Sequence, residues 1–200
     1  MTKKELYDIL KERFQEVLKE HQIENDHLSV SCRSLTPEEA IGKTKRTDYP
    51  ILTGKDVMIQ AEYKGFRGQA FTDAPSSFEG MLEDILQMDI EHDPHDRGIF
   101  IATINAVMAS LGLCCGTVHC RTEGPELCAQ DMLKFLEDNY PDVKRIALVG
   151  FQPSLLEMLS KSKYDVRVMD LNPNNIGQIK FGICVEDGTT MKEEIRDSYA

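Results

Sequence analysis

The segment between residues 144 and 182 constrains the fold more than any other part of this chain. Residues 146–149 form an apolar run that ends at a glycine, and Pro153 then begins a stretch with leucines at helical spacing. A second apolar run, residues 166–169, ends at Asp170. The pattern predicts a strand, a tight loop, a helix and a second strand, which is half of a nucleotide-binding α/β unit.

The loop after the first predicted strand lacks the usual phosphate-binding glycines. From Gly150 onward it reads Gly-Phe-Gln-Pro-Ser instead of G-x-G-x-x-G, so the sequence carries no NAD fingerprint. Asp170 nevertheless lies 20 residues past Gly150, where a carboxylate often binds a ribose. An enzyme that depends on a nucleotide or another small molecule therefore stays open as an interpretation.

Loops that contain polar residues follow both predicted strands, at the edge of an open α/β sheet where ligands bind. Gly150 and Gln152 follow the first strand, and Asp170, Asn172 and Asn175 follow the second. We expect these residues to bind a small anionic ligand, with help from the backbone N–H groups that begin the helix. The alternative is that Asp170 and the asparagines only make capping turns.

The acidic composition of the chain argues against several kinds of partner. A net charge of −11 makes binding to a phosphate backbone a poor expectation. No apolar run reaches the ~18 residues of a membrane-spanning helix, and the charged N-terminus has no signal-like apolar region. Six cysteines in such a chain indicate reduced thiols. We therefore expect a cytoplasmic protein that binds neither nucleic acid nor membrane.

Two domains are predicted, because the first part of the chain mixes helix and antiparallel strand while the rest alternates helix and strand. We expect an α+β domain over residues 1–88 and an α/β domain over residues 89–200. The first is predicted to hold a helix over 3–20, a strand over 27–35, a loop with a short turn over 36–53, a hairpin over 56–63 and 66–71, and a helix over 76–87. The second is predicted to add helices over 97–112 and 125–139, a short strand over 113–118 and a charged helix over 191–200.

The predicted helix over residues 97–112 is apolar nearly all round, which is typical of a helix buried between two layers. Asn105 is the one amide in it, and a buried amide requires a hydrogen-bond partner. Arg97 lies about two turns earlier on roughly the same face. A ligand-binding role for Asn105 and a structural bond to a neighbouring loop are both open.

Cysteine and histidine cluster between residues 114 and 128, in the order C-C-x3-H-C-x7-C. Thiolates and imidazoles bind soft and borderline metals, although this spacing matches no standard zinc motif. Cys128 lies in the first turn of its predicted helix, where the helix dipole lowers a thiol pKa. Cys120 precedes that helix, so we expect the two sulfurs to lie close together. The alternative is that these cysteines are small core residues.

Five separated motifs together resemble the heavy-metal chelation family, whose members combine an enolase-N-terminal-like lobe with a Rossmann-like lobe. The motifs are GQAFTD at 68–73, RGIFIATINAV at 97–107, GTVHCRTEGPELCA at 116–129, LVGFQPSLLEML at 148–159 and MDLNPNNIGQIKFG at 169–182. The resemblance covers most of the chain. It implies an α+β enolase-N-terminal-like lobe followed by an α/β Rossmann-like lobe.

The resemblance also implies a site in the cleft between the two lobes. The candidate ligand-binding residues are Thr72, Arg97, Asn105, Gly150, Gln152, Asp170, Asn172 and Asn175. The candidate metal contacts, for a heavy or transition metal ion, are His119, Cys120 and Cys128. Members of the family usually continue with a further strand beyond the position of Tyr199, where this chain stops. We therefore expect an incomplete second sheet, whose open edge favours a homodimer.

Three functions follow as alternatives. The first is a cytosolic two-lobe protein that binds a heavy-metal ion, a metal chelate or a small anionic ligand in the cleft. The second is an enzyme that uses a nucleotide or another small molecule, with Asp170 on a ribose. The third is a shortened family member that acts as a dimeric interaction module.

Overall fold

The computed structural model describes residues 3–26, 30–53, 57–116 and 119–189. In these ranges the chain is a mixed α+β protein with six α-helices and two four-stranded sheets. It divides into two compact units, Met1–His119 and Cys120–Ala200. Within the same ranges, no helix has both the length and the apolar character to cross a membrane.

The first unit combines one antiparallel sheet with four helices. Its elements are α1 (Lys3–Glu20), β1 (Val30–Leu35), α2 (Pro37–Ile41), a 3-10 turn (Pro50–Thr53), β2 (Val57–Tyr63), β3 (Phe66–Thr72), β4 (Phe78–Gly80), α3 (Leu82–Gln87) and α4 (Pro94–Ser110). The strand order is β3-β2-β1-β4, and each neighbouring pair is antiparallel. The predicted helix over residues 3–20 is confirmed as α1.

The hairpin formed by β2 and β3 is also confirmed. Its register pairs Tyr63 with Phe66, so the connecting turn is Lys64-Gly65. Both turn residues have positive φ, 51° for Lys64 and 79° for Gly65. Two consecutive left-handed residues are what a tight two-residue hairpin turn requires, because they match the right-handed twist of the strands.

Helix α4 lies against the sheet and carries much of the core of the first unit. It packs on β2 and β3, and its Phe100 ring meets Phe14 of α1 edge to face, with centroids 5.7 Å apart. Gly68 of β3 lies directly against the helix backbone: a Cβ added there would be 2.2 Å from the carbonyl oxygen of Ala102. The close approach of helix and strand therefore depends on the absence of a side chain at this position.

The second unit contains a small sheet with parallel strands. Its elements are α5 (Gly124–Asn139), β5 (Arg145–Val149), α6 (Pro153–Ser160), β6 (Asp165–Asp170), β7 (Ile179–Lys180) and β8 (Ile183–Asp187). The order is β5-β6-β8-β7, in which β5, β6 and β8 run parallel and β7 is antiparallel to β8. The strand, loop, helix and strand predicted from the opening segment are confirmed as β5, α6 and β6, and the helix over 125–139 as α5.

The predicted helix over residues 76–87 is wrong in its first half. Residues Phe78–Gly80 form β4, which pairs with β1, and only Leu82–Gln87 are helical. The Asp84 carboxylate accepts a hydrogen bond from the Met81 backbone N–H at 2.9 Å, which marks the helix start. The edge of β1 offered backbone partners that local propensity does not reveal.

Other predicted elements differ in smaller ways. The loop over 36–53 contains α2, whose N-cap Thr36 and Glu39 exchange hydrogen bonds in a capping box. No strand forms over residues 113–116, and residues 117 and 118 lie outside the described ranges, as do 27–29 and the helix predicted over 191–200. Helix α4 begins at Pro94 rather than residue 97, because Asp93 caps it by accepting from the His95 N–H at 2.8 Å.

The two compact units divide after His119, whereas the predicted domains divide after residue 88. Helix α4 accounts for the difference. The predicted division places this helix in the second domain, whereas it packs on β2 and β3 of the first sheet.

Candidate functional site

Cys120 and Cys128 lie close enough to interact, at the start of the second unit. Helix α5 carries Cys128 in its second turn, and the chain enters this helix just after Cys120. The backbone of Gly124 lies against Cys120, since a Cβ added at Gly124 would be 3.3 Å from the Cys120 Cβ. Burial raises the pKa of the Cys120 thiol, and the charge and hydrogen bond of the Cys128 sulfur raise this pKa further. The two thiols therefore share one local environment.

His119, the third predicted metal contact, belongs to the first unit. Its ring lies 6.0 Å from the Phe71 ring, centroid to centroid, at an interplanar angle of 45°. In the described part of the chain, no three His, Cys, Asp or Glu side chains form a metal-binding group. The arrangement that the structure does supply for a metal is therefore a pair of thiols rather than a closed site of four ligands.

The remaining cysteines occupy different surroundings. Cys32 is buried in the first unit, and burial raises its pKa to about 11. Cys114 is half-buried and Cys115 is exposed. Cys184 is exposed on β8 and donates a weak hydrogen bond to the Val185 carbonyl at 3.8 Å. These four thiols provide internal comparisons for the Cys120–Cys128 pair.

Asp170 ends β6, and its carboxylate bonds within its own turn. One oxygen accepts from the N–H groups of Leu171 and Asn172, at 2.7 and 3.1 Å. The other accepts from the Asn175 side-chain amide at 2.7 Å. A carboxylate has about four acceptor positions, so three of them are already used. The geometry matches the capping-turn alternative for Asp170 and the asparagines.

The loop after β5 places Gly150 and Gln152 at the start of α6. Gly150 has a φ of 89°, and its N–H donates to the Met169 carbonyl at 2.7 Å. Gln152 is exposed and occupies the N-cap position of α6, where its side chain makes no capping hydrogen bond. Both residues thus lie near the carboxyl end of β6, as the sequence predicts for neighbouring parallel strands.

Asp187 is a residue of this edge that the sequence analysis missed. It ends β8 directly opposite Asp170 in the strand register. One of its oxygens accepts from the Thr189 N–H at 2.8 Å and from the Thr189 hydroxyl at 2.7 Å, and the backbone bond chiefly lowers the pKa of Asp187. The apolar residues Ile183–Val185 are followed by Glu186 and Asp187, which is the same strand-then-acid signal that identified Asp170.

Arg97 holds the chain that enters α4. Its Nε and Nη2 donate to the carbonyl oxygens of Ile90 and Glu91, each at 2.7 Å. The guanidinium carbon lies 5.1 Å from the centroid of the Tyr7 ring, a cation–π distance. These contacts fix the orientation of the guanidinium in the first unit.

Asn105 is exposed, which corrects the expectation of a buried amide. Its Nδ2 donates to the Gln69 carbonyl at 2.8 Å, so the amide makes a structural bond to strand β3 rather than to a neighbouring loop. Thr72, at the end of β3, accepts from the Ala74 N–H at 3.0 Å. Thr72 and Arg97 line one pocket of about 250 Å³ in the first unit, and Asn105 is not among its walls.

Comparisons with protein-family models, with curated proteins and with solved structures return no match. The resemblance to the heavy-metal chelation family therefore stays a prediction.

Proposed function

We propose that this protein binds a soft metal ion through the thiolates of Cys120 and Cys128. The interaction between these two thiols, one just before α5 and one within it, is the observation that carries the proposal. Thiolates are the protein ligands that select soft ions such as Cu(I), and Cu(I) accepts two thiolates without further ligands. A pair of cysteines is thus a sufficient site for such an ion, whereas it is an incomplete one for structural zinc.

The proposal keeps the predicted heavy-metal chelation family and its lobes. An antiparallel sheet with helices supports the enolase-N-terminal-like name, and the parallel strands β5, β6 and β8 support the Rossmann-like name. His119, which precedes Cys120 in the chain, stays a predicted metal contact. A reducing cytosol suits this function because it keeps both thiols available. Among the described residues β5 is an edge strand, and this edge keeps the homodimer as part of the proposal.

The nucleotide-dependent enzyme receives less support. Its central residue is Asp170, and three hydrogen bonds within one turn already occupy that carboxylate. A ribose has to compete with these bonds.

Metal titration of the reduced protein tests the proposal. We expect one equivalent of Cu(I), supplied with a competing chelator under anaerobic conditions, to bind to the wild-type protein. Loss of a residue that only hydrogen-bonds a metal ligand lowers metal affinity by up to ~100-fold, and loss of the ligand itself lowers it at least as much. Cys120→Ser or Cys128→Ser is therefore expected to weaken binding at least ~100-fold. The affinity is expected to rise with pH, because the raised pKa of Cys120 makes its thiolate scarce at neutral pH.

Matched variants control for non-specific thiol chemistry. Cys184→Ser removes another exposed thiol of the second unit, and a Cys114→Ser/Cys115→Ser double variant removes two adjacent thiols of the first unit. Both are expected to keep wild-type affinity. Tight binding that survives loss of Cys120 and Cys128, or that disappears in a control variant, would refute the assignment.

A further inference from the structure

The pocket of the first unit is formed by the end of β3 and the first turns of α4. Its volume is about 250 Å³. At ~30 Å³ per water molecule, this volume corresponds to roughly eight waters. A small metabolite with about eight heavy atoms occupies a similar volume. The lining residues are Ala70, Phe71, Thr72, Asp73, Pro94, Arg97, Gly98 and Ile101. The pocket lies entirely within one compact unit and contains none of the cysteines of the proposed metal site.

Arg97 presents a fixed cation to this pocket. Two of its nitrogens are held by the carbonyl oxygens of Ile90 and Glu91, and the Tyr7 ring covers the guanidinium at 5.1 Å. Its third nitrogen, Nη1, has no partner in the described part of the protein. A guanidinium that is oriented by its own chain and keeps a free donor edge binds a carboxylate without first losing conformational freedom.

Asp73 presents a carboxylate to the same pocket. Among the described residues it has neither a hydrogen-bond donor nor an ion-pair partner. In particular, it does not pair with Arg97 across the pocket. Two opposite charges that line one small space without neutralising each other are complementary to a ligand that carries both charges.

The rest of the lining provides an apolar wall with one hydroxyl. Phe71 leaves 56% of its surface exposed, and Ile101 and Pro94 lie in the same wall. The Thr72 oxygen accepts from the Ala74 N–H, and its own hydrogen is available to a ligand oxygen. A few placed polar groups in an apolar wall are typical of small-molecule sites.

We propose that this pocket binds a small zwitterionic amino acid with an apolar side chain. Arg97 and the Thr72 hydroxyl bind its carboxylate, Asp73 binds its ammonium group, and the side chain packs on Phe71 and Ile101. A zwitterion suits a protein with a net charge of −11, because it carries no net charge to be repelled, unlike a simple anion. This function is additional to metal binding and does not depend on it.

Three matched probes separate the two charges of the ligand. L-leucine carries both, 4-methylpentanoic acid lacks the ammonium group, and 3-methylbutan-1-amine lacks the carboxylate. Amide chemical shifts of the full-length protein are recorded during titration of each probe up to roughly 10 mM, the affinity range of so small a ligand. We expect leucine to shift the signals of residues 70–73 and 97–101, and each single-charge probe to bind at least ~10-fold more weakly.

Charge-removing variants test the roles of the two residues. Asp73 is exposed, and Asp73→Asn removes its negative charge while keeping the shape of the side chain. This variant is expected to lose the preference for leucine over 4-methylpentanoic acid. Arg97→Lys is expected to weaken leucine binding at least ~10-fold, and Asp131→Asn, an exposed change on α5, serves as the control. The proposal is overturned if leucine leaves these signals unshifted, if either single-charge probe binds equally well, or if Asp73→Asn behaves like Asp131→Asn.

Discussion

Cys32 is expected to make the stability of the first unit depend on pH. The thiol is buried, with 3% of its surface exposed, and burial raises its pKa from the ordinary value of 9.0 to about 11. Between these two values the folded protein keeps a proton that the unfolded chain releases. The contribution of the Cys32 thiol to the free energy of unfolding is therefore fully present below pH 9 and is lost as the pH rises through 11. Two pKa units correspond to up to about 3 kcal/mol of unfolding free energy.

A Cys32→Ala variant isolates this contribution. Urea unfolding at pH 9 and at pH 11, under reducing conditions, is expected to show the wild type losing about 2 kcal/mol more than the variant, since this range covers most of the titration. Tyr63 and Lys64 also have raised pKa values, so their contributions to stability fall as the pH rises too. Both residues are present in the wild type and in the variant, so this loss is common to the two proteins. Equal losses in the two proteins would show that Cys32 is not the titrating group.

Individual residues of the candidate site were predictable to different degrees. The pairing of Cys120 with Cys128 followed from local order, because the chain turns directly from one into the helix that carries the other. The exposure of Asn105 did not follow, because a helix that is apolar nearly all round has no periodicity to show which side faces solvent. Asp73 was missed since its position in a pocket depends on α4, which is distant in the chain.

At the scale of elements, the contact between β3 and α4 is expected to depend on Gly68. A methyl group at this position would lie 2.2 Å from both the Ala102 carbonyl oxygen and the Ala106 nitrogen. Both are backbone atoms, so the helix itself has to move away from the strand. We expect Gly68→Ala to lower the free energy of unfolding by about 3 kcal/mol, measured by urea denaturation.

A second glycine provides the control for this substitution. In the second unit, a methyl group at Gly188 would meet its nearest atoms at 3.4 Å, an ordinary contact. Gly188→Ala is expected to change stability by less than about 0.5 kcal/mol. Adding Ala102→Gly to Gly68→Ala is not expected to restore stability, because the clash involves the helix backbone. A rescue by that double variant would contradict the proposed packing.

Elements with strong local signals were predictable, and elements that depend on distant partners were not. The hairpin of β2 and β3 has alternating residues and a Lys64-Gly65 turn, and α5 has a proline in its first turn. Strand β4 has only three residues, and it exists because Val30–Leu35 offers an edge to pair with. Three residues are too few to show the alternation that predicts a strand, so the helix pattern that follows them decides the prediction.

At the scale of the whole molecule, each compact unit has its own hydrophobic core. In the first unit the core gathers around α4, with Phe14 and Phe100 among its large side chains. In the second unit, one cluster includes Ile146 and Tyr164, and another includes Leu156 with strand residues of the parallel sheet. Each of these clusters lies wholly on one side of the division after His119.

Because its clusters are internal, we expect residues 120–200 to fold when produced alone. A stability on the order of 4 kcal/mol follows from about 0.05 kcal/mol per residue, the lower end for small domains. Dispersed amide signals and a cooperative urea transition are the expected observations. Leu156→Ala truncates a fully buried side chain, lowers the free energy of unfolding by about 2–5 kcal/mol and is expected to unfold much of the fragment. Leu127→Ala is the control: this side chain is 58% exposed, and the variant is expected to stay folded. A fragment without dispersed signals would mean that the parallel sheet requires residues of the first unit, and the two cores would then have to be treated as one.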